Sequence, residues 1–201
     1  MQQSHSVEVL TNGDHFYAAE LAAIRAARTS VHMLHPRLLF QLALATASKT
    51  IDINSPYFLP DRSARRELIA AAARGVRVRL IVPGKYNNHP IARIASRRHY
   101  GELLSGGVEI FEYEPGMIHA KIVIVDGRYA IVGSTNFDSR SFELNDEVNL
   151  ALFDSEVAAR LAEDFERDLS TSVQVTLEDW QRRSLAERLF ATVGIVLERQ
   201  V

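Results

Sequence analysis

The 201 residues contain no cysteine, one tryptophan and six prolines. Without cysteine there is no disulfide framework, no thiolate nucleophile and no zinc–thiolate site. The redox compartment stays open, and a reducing cytoplasm is compatible. Neither sign of charge dominates: 23 basic against 25 acidic residues leave a net charge of −2. A dedicated nucleic-acid binder usually carries a basic excess, so nucleic acid is not an expected partner. The run Arg93, Arg97, Arg98, His99 is one candidate for a local basic patch, and a solvated helix face is its plainer reading. No apolar run approaches the ~18 residues of a membrane span, and the nearest, LFATVGIVL close to the C-terminus, is too short to cross. The opening MQQSHSVEVL lacks the charged-then-apolar layout of a signal peptide. The expectation is a cytoplasmic protein, soluble or peripheral on a membrane surface.

What is present is a 47% apolar chain, enough to bury a full core as one domain or one domain and part of another. Val7 to Leu10 reads as a short strand, a helix follows over 16–28, and Val31 and Met33 alternate as a strand. Arg37 to Ser48 is again helical, and Ile51, Ile53 and Tyr57 mark a strand ending at Pro60-Asp61. The two stretches resemble each other at an offset of twenty residues, Ala23 with Ala43, Val31 with Ile51 and Pro36 with Pro56 among the matches. Asp61 or Ser63 can cap a helix to Arg74, which Gly75 stops. Strands are expected at 76–82, 108–113, 118–125, 129–132 and 147–153, with helices over 90–104 and 154–169. Asp126-Gly127 is a hairpin signal. Strands alternating with helices, plus one hairpin, predict an α/β fold, a mixed β-sheet flanked by helices.

The stretch MIHAKIVIVDGRYAIVGSTN carries the chemistry. On a strand, His119 and Lys121 leave the same face, while Ile118, Ala120, Ile122 and Ile124 leave the other. Folding the hairpin at Asp126-Gly127 pairs His119 with Ser134. A one-residue shift pairs His119 with Asn136 and Lys121 with Ser134. Either register gathers an imidazole, an ammonium, a hydroxyl and an amide. Such a set suits phosphodiester cleavage: the imidazole can attack phosphorus covalently, and the donors can hold non-bridging oxygens through the transition state. Glu147 is the candidate carboxylate to orient the imidazole. No metal or cofactor is required, and no acidic cluster has metal-ligand spacing. Singly, each residue has a plainer structural reading, Asp126 as a turn residue above all. Together, polar groups on one face of a strand flanked by core residues call for a purpose.

His119-Ala120-Lys121 followed by Asp126 resembles the HxKxxxxD motif of the phospholipase D superfamily, and Gly133-Ser134-Thr135-Asn136 resembles its GSxN element. Flanking segments narrow the resemblance to bacterial cardiolipin synthases: SPYFLPD at 55–61, VRVRLIVPG at 76–84, ASRRHYGELL at 95–104 and FDSRSFELNDEVNL at 137–150. It runs from about Phe40 to Leu169 and implies a phospholipase D-like fold. It also implies His119 as nucleophile or partner acid, Lys121 and Asn136 as phosphate ligands, and Ser134 and Glu147 as supporting groups. The motif's aspartate, here Asp126, is structural in the family.

Cardiolipin synthases resemble a duplication in which each half gives one motif to a shared site. Of seven histidines (5, 15, 32, 35, 89, 99 and 119), only His119 is followed two residues later by lysine. Residues 1–36 then read as a remnant of a first domain's opening, 37–170 as the domain with the motif, and 171–201 as a C-terminal helical extension. The resemblance implies phosphatidyl transfer from phosphatidylglycerol or another phospholipid through phosphohistidine, with a homodimer completing the site. A hydrolytic phosphodiesterase or nuclease and an inactive truncated remnant stand as alternatives. The segment from Trp180 to Val201 reads either as an interfacial helix with Trp180 at the headgroup level or as a helix packed on its own domain.

Overall fold

A computed structural model describes residues 36–87, 90–143 and 145–183; the repeat at 7–34 and the apolar C-terminal stretch lie outside them. Helix α1 (Pro36–Thr46) opens on a proline, whose fixed φ suits a first helical turn. Strand β1 (Thr50–Asn54) follows, then a two-residue β2 (Phe58–Leu59). Asp61, rather than Ser63, caps helix α2 (Arg62–Ala73), its Oδ1 accepting from the Ala64 N–H at 2.8 Å. Gly75, at φ +89°, ends that helix in a conformation glycine adopts without penalty. Next come β3 (Arg77–Pro83), α3 (Pro90–Arg97), α4 (Tyr100–Ser105) and β4 (Glu109–Tyr113). The hairpin β5 (Ile122–Val125) and β6 (Tyr129–Gly133) leads into β7 (Phe137–Asp138) and α5 (Ser139–Glu143). The chain then forms β8 (Asn149–Leu152), α6 (Ser155–Ser170), β9 (Ser172–Val175) and α7 (Leu177–Gln181).

Seven strands make one sheet in the order β8-β6-β5-β1-β3-β4-β9. β1, β3 and β4 run parallel, and β5, β6, β8 and β9 attach antiparallel. The expected mixed sheet between helices is the observed one. Two apolar layers sandwich it. Ile51, Ile53, Val123, Val125 and Ile131 face a core shared with Phe40, Leu44, Leu68, Leu103 and Trp180. Ile118, Ile124, Ala130 and Ile81 face Phe165 of α6. The alternation along 122–125 therefore divides its side chains between two cores rather than between core and water, because helices cover both faces of the sheet.

Four local expectations change. The helix over 90–104 is broken, α3 ending at Arg97 and α4 starting at Tyr100. Arg93 and Arg97 do not form a solvated basic face: both bond the buried Glu112, at 2.9 and 2.7 Å, and His99 is buried. Burial first, then the Arg65 and Arg98 charges, lower the His99 pKa to about 4, so its ring is neutral at physiological pH. Residues 172–175 are not helical but form the edge strand paired with β4. Trp180 is buried against Tyr100, ring centroids 5.5 Å apart, which excludes it as a headgroup anchor. No helix among the described residues is long and apolar enough to cross a membrane.

Arg79 runs against its pattern. Alternation in VRVRLIVPG aims it away from the first core, yet it is buried beneath α6. Its partner across the β1–β3 ladder is Asp52, which it grips with two bonds of 2.6 and 2.9 Å. Glu166 adds a third contact at 2.6 Å, and Phe165 lies under the guanidinium. Such a bidentate pair compensates charges that burial alone would penalise.

Candidate functional site

The polar site residues gather where the parallel strands end, the edge at which open α/β sheets commonly bind ligands. The hairpin turns on Asp126 and Gly127, both at positive φ (+54° and +62°), and closes with the Arg128 N–H on the Val125 carbonyl at 2.9 Å. Pairing runs from Val125 with Tyr129 to Ile122 with Val132. This register lies between the two expected from sequence. Carried further, it sets Lys121 beside Gly133, whose N–H reaches the Lys121 carbonyl at 3.3 Å, and not beside Ser134. Strand β5 begins only at Ile122, so His119 and Lys121 sit on the segment leading into the sheet.

His119 is exposed and Lys121 half-buried. Lys121 Nζ lies 3.0 Å from His119 Nδ1 and 3.3 Å from Nε2, and donates to the His119 carbonyl at 3.1 Å. An ammonium can donate only to a ring lone pair, so the contact favours neutral imidazole. Partial burial first and the Lys121 charge second lower the His119 pKa below its ordinary value. Burial also lowers Lys121, and the Glu147 carboxylate works in the opposite direction. Neutral imidazole beside a cation is the form able to attack an electrophile that carries negative oxygens.

Ser134 and Glu147 form a second cluster. The Ser134 hydroxyl donates to Glu147 Oε2 and accepts from the Val148 N–H at 2.9 Å. Asn145 Nδ2 donates to Glu147 Oε1 at 3.2 Å. The expected bond from Glu147 to His119 is not among these. The β6–β8 register explains the difference: Gly133 pairs with Asn149, which draws residues 147 and 148 alongside Ser134. Gly133 permits that approach, since a Cβ there would stand 2.2 Å from the Val148 carbonyl oxygen. Asn136 donates to Ser141 Oγ at 3.5 Å, and its buried Oδ1 has no partner. Its amide is thus held within the fold by one long bond.

Asp126 stands apart from these groups. Its carboxylate accepts from the N–H groups of Ser48 (3.0 Å), Lys49 (2.7 Å) and Thr50 (2.9 Å), and from Ser48 Oγ (2.7 Å). It clamps the turn before β1 to the hairpin tip. Partial burial raises its pKa, and the bonds from Ser48, Thr50 and Lys49 outweigh that effect, for a net lowering. Among the described residues no group of three or more His, Cys, Asp or Glu could hold a metal ion.

Periodicity did not single out Ser55 as a site residue, and it placed Tyr57 only as part of a strand. The Tyr57 ring stands edge-on to His119, centroids 6.2 Å apart and planes at 83°. The buried Ser55 hydroxyl donates to the Tyr57 carbonyl at 2.8 Å and accepts from the Phe137 N–H at 3.1 Å. Both lie within SPYFLPD, a segment marked only by its resemblance.

Residues 40–169 match the family model described as "Cardiolipin synthase, PLD-like domain". Cardiolipin synthase of Oceanobacillus iheyensis is 46% identical over 148 residues, 74% of this chain and 31% of that protein. Cardiolipin synthase 2 of Bacillus anthracis is 41% identical over 151 residues, 75% of this chain and 29% of that protein. The chain thus spans less than a third of the length of these relatives. Among solved structures, the phospholipase D family member Nuc from Salmonella typhimurium superposes with a TM-score of 0.61 at 22% identity, covering 70% of this chain and 90% of that one. Phosphatidylserine synthase from Haemophilus influenzae gives 0.64 at 18% identity, covering 81% and 42%. At such identities the two structures show the fold, and it is phospholipase D-like.

Proposed function

The chain belongs to the phospholipase D-like domain family of cardiolipin synthases, and we propose that it supplies one half of a phosphatidyl-transfer site acting on phosphatidylglycerol. The observation that carries this reading is the His119–Lys121 contact at 3.0 Å, beside a Glu147 carboxylate bonded to Ser134. In the proposed reaction, neutral His119 attacks phosphorus and forms an N–P bond. The P–O bond to the headgroup glycerol breaks, and glycerol leaves with a proton from a second imidazolium. A hydroxyl of another phosphatidylglycerol then gives its proton to that imidazole and attacks phosphorus. The P–N bond breaks, releasing cardiolipin and restoring both rings. Lys121, Ser134 and Asn136 hold the non-bridging oxygens, where fixed donors act most strongly on developing charge. Glu147 keeps Ser134 oriented and favours the Lys121 charge. Asp126 holds the hairpin tip.

The second imidazole is supplied by another copy of the chain. A twofold, isologous interface brings His119 and its counterpart to one phosphate, and contact with a membrane surface delivers the lipid. The test is to purify the chain, measure its mass in solution, and assay that fraction on phosphatidylglycerol vesicles and on DNA beside His119→Ala. A dimer forming cardiolipin, with formation abolished by the substitution, supports the proposal. A monomer inert on both substrates identifies a remnant. DNA cleavage lost in the variant, without lipid product, assigns a hydrolytic phosphodiesterase in which water resolves the intermediate.

A further inference from the structure

We propose that Ser55 and Tyr57 are positioning residues of this site: the Tyr57 ring orients the His119 imidazole, and the Ser55 hydroxyl locks that ring to the limb carrying Asn136. The proposal rests on the reading of His119 as the reacting group.

The requirement for such a support follows from what His119 lacks. Its side chain is exposed, and its hydrogen-bonding neighbour is Lys121, which approaches both ring nitrogens almost equally, at 3.0 and 3.3 Å. A cation that reaches both nitrogens selects neither tautomer, and Glu147, the carboxylate expected to do so, bonds Ser134 and Asn145 instead. Orientation must then come from packing. The ring edge-on to His119 is Tyr57, at 83°, an arrangement aromatic pairs prefer.

Tyr57 is itself held in place. β1 ends at Asn54 and the chain turns immediately, with Ser55 anchored by its N–H on the Ile81 carbonyl at 3.2 Å. Ser55 is 2% exposed, and its hydroxyl uses its proton on the Tyr57 carbonyl and a lone pair on the Phe137 N–H. Phe137 directly follows Asn136, and Phe58 directly follows Tyr57. Phe58 and Phe137 are partners in the β2–β7 pair, with stacked rings 5.3 Å apart. One hydroxyl and one two-residue ladder thus set the separation between the aromatic wall of His119 and the Asn136 amide. A buried hydroxyl satisfied on both sides by backbone groups of two different segments acts as a rigid tie.

Histidine side-chain NMR on Tyr57→Ala, Tyr57→Phe and Ser55→Ala tests this without requiring catalysis, so its outcome is independent of whether the chain transfers phosphatidyl groups. The Tyr57→Ala substitution is expected to change the ratio of His119 rotamers by about 2- to 12-fold, the worth of one aromatic pair, and to raise the His119 pKa toward its ordinary value as the ring becomes more hydrated. Tyr57→Phe retains the ring and should keep the His119 rotamer ratio closer to the parent than Tyr57→Ala does. Ser55→Ala should reproduce the Tyr57→Ala rotamer change and weaken cross-peaks between the Tyr57 and His119 rings. If Ser55→Ala does not fold, Ser55→Thr, which keeps the hydroxyl, should fold and keep those cross-peaks. A folded Tyr57→Ala protein with parent rotamers and pKa overturns the role of Tyr57. Unchanged Tyr57–His119 cross-peaks in folded Ser55→Ala, or their loss in folded Ser55→Thr, overturn that of Ser55.

Discussion

Replacing Asp126 by alanine should destabilise the domain by about 2–4 kcal/mol. The carboxylate takes four donors, the N–H groups of Ser48, Lys49 and Thr50 and the Ser48 hydroxyl, at 2.7–3.0 Å. Bonds to a charged acceptor contribute about 1.5–3 kcal/mol each where the partner is left dry. Ser48 and Lys49 are exposed, so water replaces much of what is lost and the sum falls well below four times that value. Alanine also meets the backbone at φ +54°, which costs about 1–2 kcal/mol for a residue with a Cβ and no polar side chain to compensate. Asparagine tolerates that φ and can keep the bonds from Lys49 and Thr50, so Asp126→Asn should lose only about 1–2 kcal/mol. Urea unfolding at pH 7 reads both, with midpoints lowered and slopes unchanged.

The pH dependence has a fixed sign. The folded pKa of Asp126 lies below its ordinary 3.8, so the unfolded chain takes up the proton first. Its stabilisation is complete above the ordinary carboxylate value and is lost as pH falls through the lower folded value. The difference between the parent and Asp126→Asn should therefore be constant from pH 7 to 5 and shrink below pH ~4. An Asp126→Ala protein within 0.5 kcal/mol of the parent, roughly the scatter of neutral surface substitutions, would refute the clamp.

Two further outcomes are expected. Lys121→Met removes the cation beside the imidazole while keeping an unbranched stem, so the His119 pKa, read by NMR titration, should rise; a fall or no change contradicts the electrostatic reading of the pair. Gly133→Ala places a Cβ 2.2 Å from the Val148 carbonyl oxygen and 2.4 Å from Asn149 Oδ1. Strand β8 must then move away from β6, at a cost of about 1–3 kcal/mol, with faster amide exchange at Ser134 as the local signature; unchanged exchange there refutes the close approach.

Much of this architecture was legible without coordinates. Alternation at 76–82 and 118–125, the Asp61 cap, the stop at Gly75 and the Asp126-Gly127 turn are local signals, set by side-chain period and by which residues accept a given φ. They sufficed to expect a mixed sheet between helices and to gather His119, Lys121, Ser134 and Asn136 as candidates. The clustering of His, Lys, Ser and Asn types around one hairpin is likewise a property of spacing along the chain.

What only the tertiary structure decided concerns partners brought from elsewhere in the chain. The donors that hold Asp126 come from residues 48–50, some 76 to 78 positions away, which no local signal announces. Glu147 went to Ser134 rather than His119 because pairing of β8 with β6 carried it there. Arg79 was buried because α6 covers the face to which alternation had sent it. Ser172–Val175 became a strand because the edge of β4 was open to pair with it. Periodicity reports which face a side chain leaves from; what waits on that face depends on long-range pairing, which adjacent residues do not encode.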